Sequence, residues 1–144
     1  MNRKGFTLVE ALASIVILSF VFTAIITIIV NVRIQTIRTE ERVVAIEIAK
    51  SIRDDIENDV TYAEIINNIS DSSYVITQDN CGAITNGCSF FNYSVGDRQF
   101  NDNVTITFLQ STPQSLDYQV IHFEVSIAYF RNDTLLVEGI LYES

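Results

Sequence analysis

The sequence predicts an α+β fold in which a long N-terminal helix packs on a small antiparallel β-sheet. Three observations support this prediction. No charged residue occurs from Ala11 to Val32, no proline or glycine occurs between Phe6 and Thr61, and several short runs of β-branched and aromatic residues follow. Proline and glycine are the residues that most often interrupt helices, whereas β-branched and aromatic residues favour strands. We therefore expect one continuous helix followed by a sheet.

The first part of the predicted helix, residues 6–32, is long and apolar enough to cross a membrane. Its uncharged run contains 22 residues, and about 20 residues at a rise of about 1.5 Å span the hydrocarbon core. An ordinary cleaved secretory signal is disfavoured because the run is too long, Glu10 lies near its beginning, and Ala11-Leu12-Ala13 precedes the apolar stretch. An uncleaved anchor is the competing interpretation. Arg3 and Lys4 favour a cytoplasmic N-terminus, which would place the rest of the chain outside the cytoplasm after a single crossing.

The second part of the helix, residues 33–60, is amphipathic. Its apolar residues recur mostly at spacings of three and four, which places them on one face. They are Ile34, Ile37, Val44, Ile48, Ile52, Ile56 and Val60. This apolar face requires a covering layer, and we expect residues 61–144 to provide it.

Residues 61–144 are predicted to form a globular head built around an antiparallel sheet. A polar stretch around Ser70 separates it from the helix, and the only proline, Pro113, lies in a predicted loop. Alternating apolar and polar residues identify the candidate strands. These are Tyr74–Thr77, Phe90–Val95, Val104–Leu109, Val120–Phe130 and Thr134–Tyr142. The short Asn132-Asp133 turn before the last strand is consistent with a hairpin.

The charge of the head disfavours nucleic acid as a direct partner. Arg98 and Arg131 are its only basic residues, against ten acidic ones, and the whole chain has a formal net charge of -9. Binding to phosphates requires an excess of positive charge. We interpret the acidic surface as a solubilising one.

The two cysteines, Cys81 and Cys88, are separated by a short polar segment. Two thiols cannot complete the usual four-ligand structural zinc site, and their spacing differs from that of a C-x-x-C redox pair. In an oxidising compartment the two can form a disulfide. Two unlinked thiols are the alternative.

The segment Lys4-Gly5-Phe6-Thr7-Leu8-Val9-Glu10 closely resembles the processing and assembly signal of type IV pilins and pseudopilins. The resemblance is strong from Lys4 to Phe22. It implies that residues 1–5 are a leader, that a prepilin peptidase cleaves between Gly5 and Phe6, and that the same enzyme N-methylates Phe6. It also implies that Glu10 meets the freed Phe6 amine of a neighbouring subunit. Without the resemblance, Gly5 could be a flexible hinge and Glu10 a residue at the headgroup level.

The resemblance implies a structural filament subunit that requires no cofactor. Its implied partners are other pilin subunits, the prepilin peptidase, the inner-membrane assembly platform and, before assembly, the bilayer. Many major pilins carry a proline near the position of Thr27 and a glycine near that of Ser19. The absence of both favours a minor pilin or pseudopilin. The rival hypothesis is a permanently anchored extracellular ligand-binding protein, and the N-terminus of the mature chain distinguishes the two.

Residues capable of catalysis or metal binding form no recognisable constellation in the sequence. His122 is the only histidine, so no histidine-based triad can be assembled within this chain. It is predicted to lie on the surface of its strand. The acidic residues of the head form no dense D-x-D-x-D ladder, and we predict neither a metal site nor an enzymatic activity.

Overall fold

The computed structural model describes residues 7–69, 72–95, 98–99 and 103–143. Contacts divide the chain into two compact units, residues 1–39 and 40–144. A single helix, α1, runs from Leu8 to Asp59 over 52 residues. This confirms the predicted long helix, and its unbroken course follows from the absence of proline and glycine.

In the part of the second unit that the structure describes, two short helices and six strands follow α1. The helices are α2 (Tyr62–Ile66) and α3 (Pro113–Asp117), and the strands are β1 (Tyr74–Ile76), β2 (Ser94–Val95), β3 (Arg98–Gln99), β4 (Val104–Phe108), β5 (Val120–Ala128) and β6 (Thr134–Tyr142). Short 3-10 helices cover residues 78–83, 87–91 and 130–132. The α+β fold class predicted from the sequence is therefore confirmed.

The main sheet has four antiparallel strands in the order β1-β4-β5-β6. β5 and β6 pair over their full lengths, from Val120 opposite Tyr142 to Ala128 opposite Thr134. This confirms the predicted hairpin, although β5 ends two residues earlier than expected. Its connection contains two residues with positive φ, Arg131 and Asn132, which turn the chain back on itself.

The prediction of a strand over Phe90–Val95 is wrong for most of that segment. Phe90 and Phe91 lie in a 3-10 helix and are both buried, and only Ser94–Val95 forms a strand. A strand would direct two consecutive side chains to opposite faces, whereas here both contribute to one core. The loop predicted around Pro113 also contains a helix, because Thr112 caps the helix that Pro113 begins.

The core lies between α1 and the inward face of the main sheet. From α1 it receives Ala45, Ile48, Ala49, Ile52 and Ile56, which follow the helical repeat. From the sheet it receives alternate residues of β4 and β5, which are Val104, Ile106, Phe108, Ile121, Phe123, Val125 and Ile127. Burial of the predicted stripe therefore begins near residue 45. Earlier, in the first unit, Ile37 is 38% exposed.

The segment from Gln78 to Phe91, here called the cysteine loop, is closed by a disulfide between Cys81 and Cys88. Their Cα atoms are 4.7 Å apart. Gly87 is buried against the backbone of Cys81, where an added Cβ would be closer than 3.0 Å to the Ile84 side chain. The loop is therefore compact at this point only because residue 87 has no side chain.

Two polar contacts attach the cysteine loop and the residues after it to the helices. Glu64 accepts hydrogen bonds from the Thr85 hydroxyl and from the backbone N–H of Thr61. These two donors lower the pKa of Glu64, with the Thr85 contact having the larger effect. The Tyr93 hydroxyl donates to the carboxylate of Asp55 on α1. Burial, followed by this contact, raises the pKa of Tyr93.

Candidate processing and assembly site

The first turn of α1 is closed by a capping box between Thr7 and Glu10. The backbone N–H and the hydroxyl of Thr7 donate to Glu10 Oε2 at 3.2 and 3.1 Å. The backbone N–H of Glu10 contacts Thr7 Oγ1 at 3.3 Å in return. This reciprocal pattern satisfies backbone donors that the start of a helix otherwise leaves without partners. The helix dipole further favours a negative charge at this end.

The capping box directs the carboxylate of Glu10 back toward the N-terminal end of α1. Both residues are exposed in the first unit. The two other residues of the predicted site, Gly5 and Phe6, lie outside the described residues. Thr7, which contacts the Glu10 carboxylate, was not among the predicted site residues. The signal for it was present, because Thr-x-x-Glu before an apolar run is the sequence pattern of a capping box.

The part of α1 that follows the capping box presents apolar side chains in every direction. Phe20 is 74% exposed, Ile17 is 64% exposed and Ile28 is 62% exposed. Within the described residues, α1 is the one helix long and apolar enough to cross a membrane, and the most apolar window of 18 residues has a mean hydropathy of 2.8 with none of it buried. A helix that is apolar on all sides requires lipid or other helices around it.

The hydroxyl groups in the apolar run are all bonded within the helix. Ser14, Ser19, Thr23 and Thr27 each donate to the carbonyl oxygen four residues earlier, at 2.8 to 2.9 Å. Such bonds satisfy the hydroxyl donor without a partner from outside the helix. The run therefore combines small polar residues with an apolar surface at little cost in hydrocarbon.

Comparison with protein families gives one match to this region. Residues 1–26 match the prokaryotic N-terminal methylation motif. This match supports a type IV pilin-like or pseudopilin-like protein. The motif covers the start of α1 and includes Thr7 and Glu10, whose contacts are described above. Comparisons with curated proteins and with solved structures give no match.

The pilin-type motif defines a structural family and not an enzyme family. In the described part of the head, no group of three or more histidine, cysteine, aspartate or glutamate side chains is placed to hold a metal ion. His122 is exposed on the outer face of β5, as the alternation of the strand predicted. Near the end of α1, Arg53 contacts the carboxylates of Asp54 at 2.7 Å and Glu57 at 3.9 Å, so these two acidic residues have a neighbouring cation.

Proposed function

We propose that this chain is a structural subunit of a type IV pilus or a related pseudopilus, and that it is a minor one. The observation that carries the proposal is the N-terminal methylation motif over residues 1–26, which covers the start of a helix whose apolar side chains are exposed. The helix provides for insertion into the membrane and for assembly into the filament. The head is a folded domain at the end of this helix.

In this proposal the precursor is cleaved between Gly5 and Phe6 by a prepilin peptidase at the cytoplasmic face of the membrane. Gly5 suits cleavage because it has no side chain beside the scissile bond. The same enzyme then methylates the new amino terminus of Phe6. Before assembly the subunit is a single-pass protein of the bacterial cytoplasmic membrane with its head outside the cytoplasm. Afterwards it belongs to a filament at the cell surface.

Glu10 is assigned the central role in assembly. A carboxylate within hydrocarbon costs at least about 2.5 kcal/mol and requires a partner. We propose that its partner in the filament is the Phe6 amine of a neighbouring subunit. The contact with Thr7 supports this role, because it uses Oε2 of Glu10 and holds the carboxylate at the N-terminal end of α1. Thr7 would then reduce the conformational freedom that Glu10 loses when it meets the amine.

The apolar helix is proposed to have two successive functions, membrane anchoring and filament assembly. It first holds the subunit in the bilayer, and it later packs against the helices of other subunits when the assembly platform extracts it. Small residues such as Ala11, Ala13, Ser14 and Ser19 permit close approach between helices. The absence of proline and glycine from this helix supports a minor subunit, because many major pilins carry both.

Substitution of Glu10 tests the proposed assembly step in the native filament system. We expect Glu10→Ala to enter the membrane normally but to be reduced about tenfold or more in the sheared filament fraction. Removing one partner of a buried charge pair costs about 2–5 kcal/mol, which is sufficient for this reduction. Asp117→Ala is the matched control, because Asp117 is an exposed carboxylate of the head, and it should assemble normally. Normal incorporation of Glu10→Ala, measured by quantitative immunoblotting of both fractions, would contradict the pairing role.

A further inference from the structure

A groove lies beside α3 and β5 on the outer face of the head. It has a volume of about 420 Å³ and is lined by Thr112, Gln114, Ser115, Tyr118, Val120 and His122. A second recess of about 110 Å³ shares Thr112, Ser115, Val120 and His122 with it and extends toward Ile69. We call the larger cavity the α3 groove. Its volume is within the range of small-molecule sites, about 300–1,000 Å³.

One exposed tyrosine lines the α3 groove, and a second lies opposite one of its lining residues. Tyr118 lines it directly and is 78% exposed. Tyr142 is 66% exposed and is the register partner of Val120, which lines the groove. Residues directly opposite each other on antiparallel strands have Cβ atoms about 4.5–5.5 Å apart. The groove therefore has an aromatic side chain on α3's side and a second one beside it on β6.

The rest of the lining offers neutral hydrogen-bonding groups. The Ser115 hydroxyl donates to Thr112 O at 2.9 Å and accepts from Thr112 N at 2.8 Å. Thr112 Oγ1 accepts from Ser115 N at 3.1 Å, which leaves its hydroxyl hydrogen available to a ligand. Gln114 and His122 are exposed and add an amide and an imidazole to the same surface.

None of the six lining residues carries a formal charge when His122 is neutral. A site for a phosphate, a carboxylate or a nucleic acid would require cationic groups, and a site for a cationic ligand would require carboxylates. The groove thus favours a neutral ligand with many hydroxyl groups and an apolar face. A saccharide has these properties, because its C–H face can pack on a tyrosine ring while its hydroxyl groups bond to amides and side-chain hydroxyls.

The backbone beside the groove is held in a sparsely populated conformation. Gln119 has a φ of 52°, in the left-handed region that non-glycine residues rarely adopt. Its carbonyl oxygen accepts from the backbone N–H of Glu143 at 3.2 Å, and its own N–H donates to Leu116 O. This turn fixes the course of the chain between Tyr118 and the start of β5. Local strain of this kind is commonly retained at ligand sites.

We propose that the α3 groove is a binding site for a neutral saccharide. Tyr118 and Tyr142 pack against the sugar rings, and Thr112, Gln114 and His122 bond to the hydroxyl groups. All the lining residues belong to the head, so the proposal does not rest on the proposed filament function. Its failure would leave the proposed filament function untouched.

His122 provides a specific reporter for the test because it is the only histidine of the chain. The full chain is placed in a zwitterionic detergent. Maltoside detergents are avoided because their saccharide headgroups would compete with the probes. It is titrated with three neutral probes, maltotriose, cellotriose and triacetylchitotriose, while the imidazole resonances of His122 are recorded by NMR. We expect a saturable shift with at least one probe. Tyr118→Ala and Tyr142→Ala should each raise its Kd by up to about tenfold, as expected for loss of one aromatic contact.

Leu136→Ala is the control substitution, because Leu136 is a 50% exposed aliphatic residue of β6 that pairs with Ser126, away from the groove. It should leave the Kd unchanged, and near-ultraviolet circular dichroism should show that all variants are folded. The absence of a saturable shift with all three probes would overturn the proposal. Equal affinities of the folded tyrosine variants and the wild type would also overturn it. Trigalacturonic acid is titrated as an anionic probe, and tighter binding of it than of the neutral probes would overturn the proposal as well.

Discussion

Gly139 permits close packing between β5 and β6, and its substitution gives a prediction whose size follows from the structure. It is buried and is the register partner of Phe123, whose side chain is fully buried. A Cβ at position 139 would lie 2.6 Å from Cε1 and 2.8 Å from Cε2 of Phe123, and still closer to Cζ. The Phe123 ring therefore occupies the space that any side chain at position 139 would need, and it would have to tilt into the core or separate the strands.

The expected cost of Gly139→Ala is about 1–2 kcal/mol in the free energy of unfolding. Overpacking a core costs about 1–3 kcal/mol, and the lower entropy of the unfolded alanine chain offsets about 0.4–1 kcal/mol. For a domain of about 100 residues this lowers Tm by about 5–10 °C. Gly82→Ala is the matched control, since an added Cβ there meets nothing within 4 Å. We expect no loss of stability in that variant.

Thermal unfolding of the full chain, followed by near-ultraviolet circular dichroism under oxidising conditions, measures both effects. A double-mutant cycle with Phe123→Leu isolates the clash, because the smaller side chain vacates part of the space above Gly139. In the Phe123→Leu background, Gly139→Ala should cost about 1 kcal/mol less than in the wild type. An equal cost in both backgrounds, or a Gly139→Ala variant as stable as Gly82→Ala, would refute the packing explanation.

Three further substitutions test the polar contacts and the disulfide of the head, each by urea unfolding of the full chain. Glu64→Gln should reduce the free energy of unfolding at neutral pH. The lowered pKa of Glu64 contributes stability that is present above its ordinary pKa of 4.5 and is lost as the pH falls through the folded pKa, so the variant should lose less stability on acidification. An unchanged acid profile would argue against this. Tyr93→Phe should cost about 1–3 kcal/mol in the free energy of unfolding, because the Asp55 carboxylate loses its partner. The raised pKa of Tyr93 causes a loss of stability as the pH rises above 10.0, and this loss should be absent in the variant. The same alkaline loss in the variant would contradict the role of Tyr93. Replacing both Cys81 and Cys88 by serine should cost roughly 2–3 kcal/mol through the unfolded chain, and equal midpoints for variant and wild type would show that the bond contributes nothing.

Much of the fold was predictable because its elements follow local rules. The absence of proline and glycine predicts α1, and regular alternation predicts β4, β5 and β6 to within one or two residues. The cysteine loop was not predictable in this way. Phe90 and Phe91 fit the pattern of a strand, but the disulfide and the close backbone approach at Gly87 hold this part of the chain in a tight, non-extended path. A tertiary constraint overrides β-propensity there.

The candidate sites also differ in how far the sequence predicts them. The methylation motif is contiguous, and the capping box between Thr7 and Glu10 follows from a spacing of three residues, so both can be read from the sequence. The α3 groove cannot, because strand pairing places Tyr142 opposite Val120, and the turn at Gln119 joins α3 to β5, so that its residues come from separate segments. No spacing in the sequence indicates that these residues lie close together.

Intact-mass spectrometry of the protein purified from its native membrane tests whether the chain is processed as a pilin. We expect a mature chain that begins at Phe6, carries one added methyl group at its amino terminus and has lost residues 1–5. A prepilin peptidase-deficient strain is the control, and it should yield the unprocessed chain. A mature protein that retains Met1 in the presence of active peptidase would contradict processing at Gly5 and favour a permanently anchored protein.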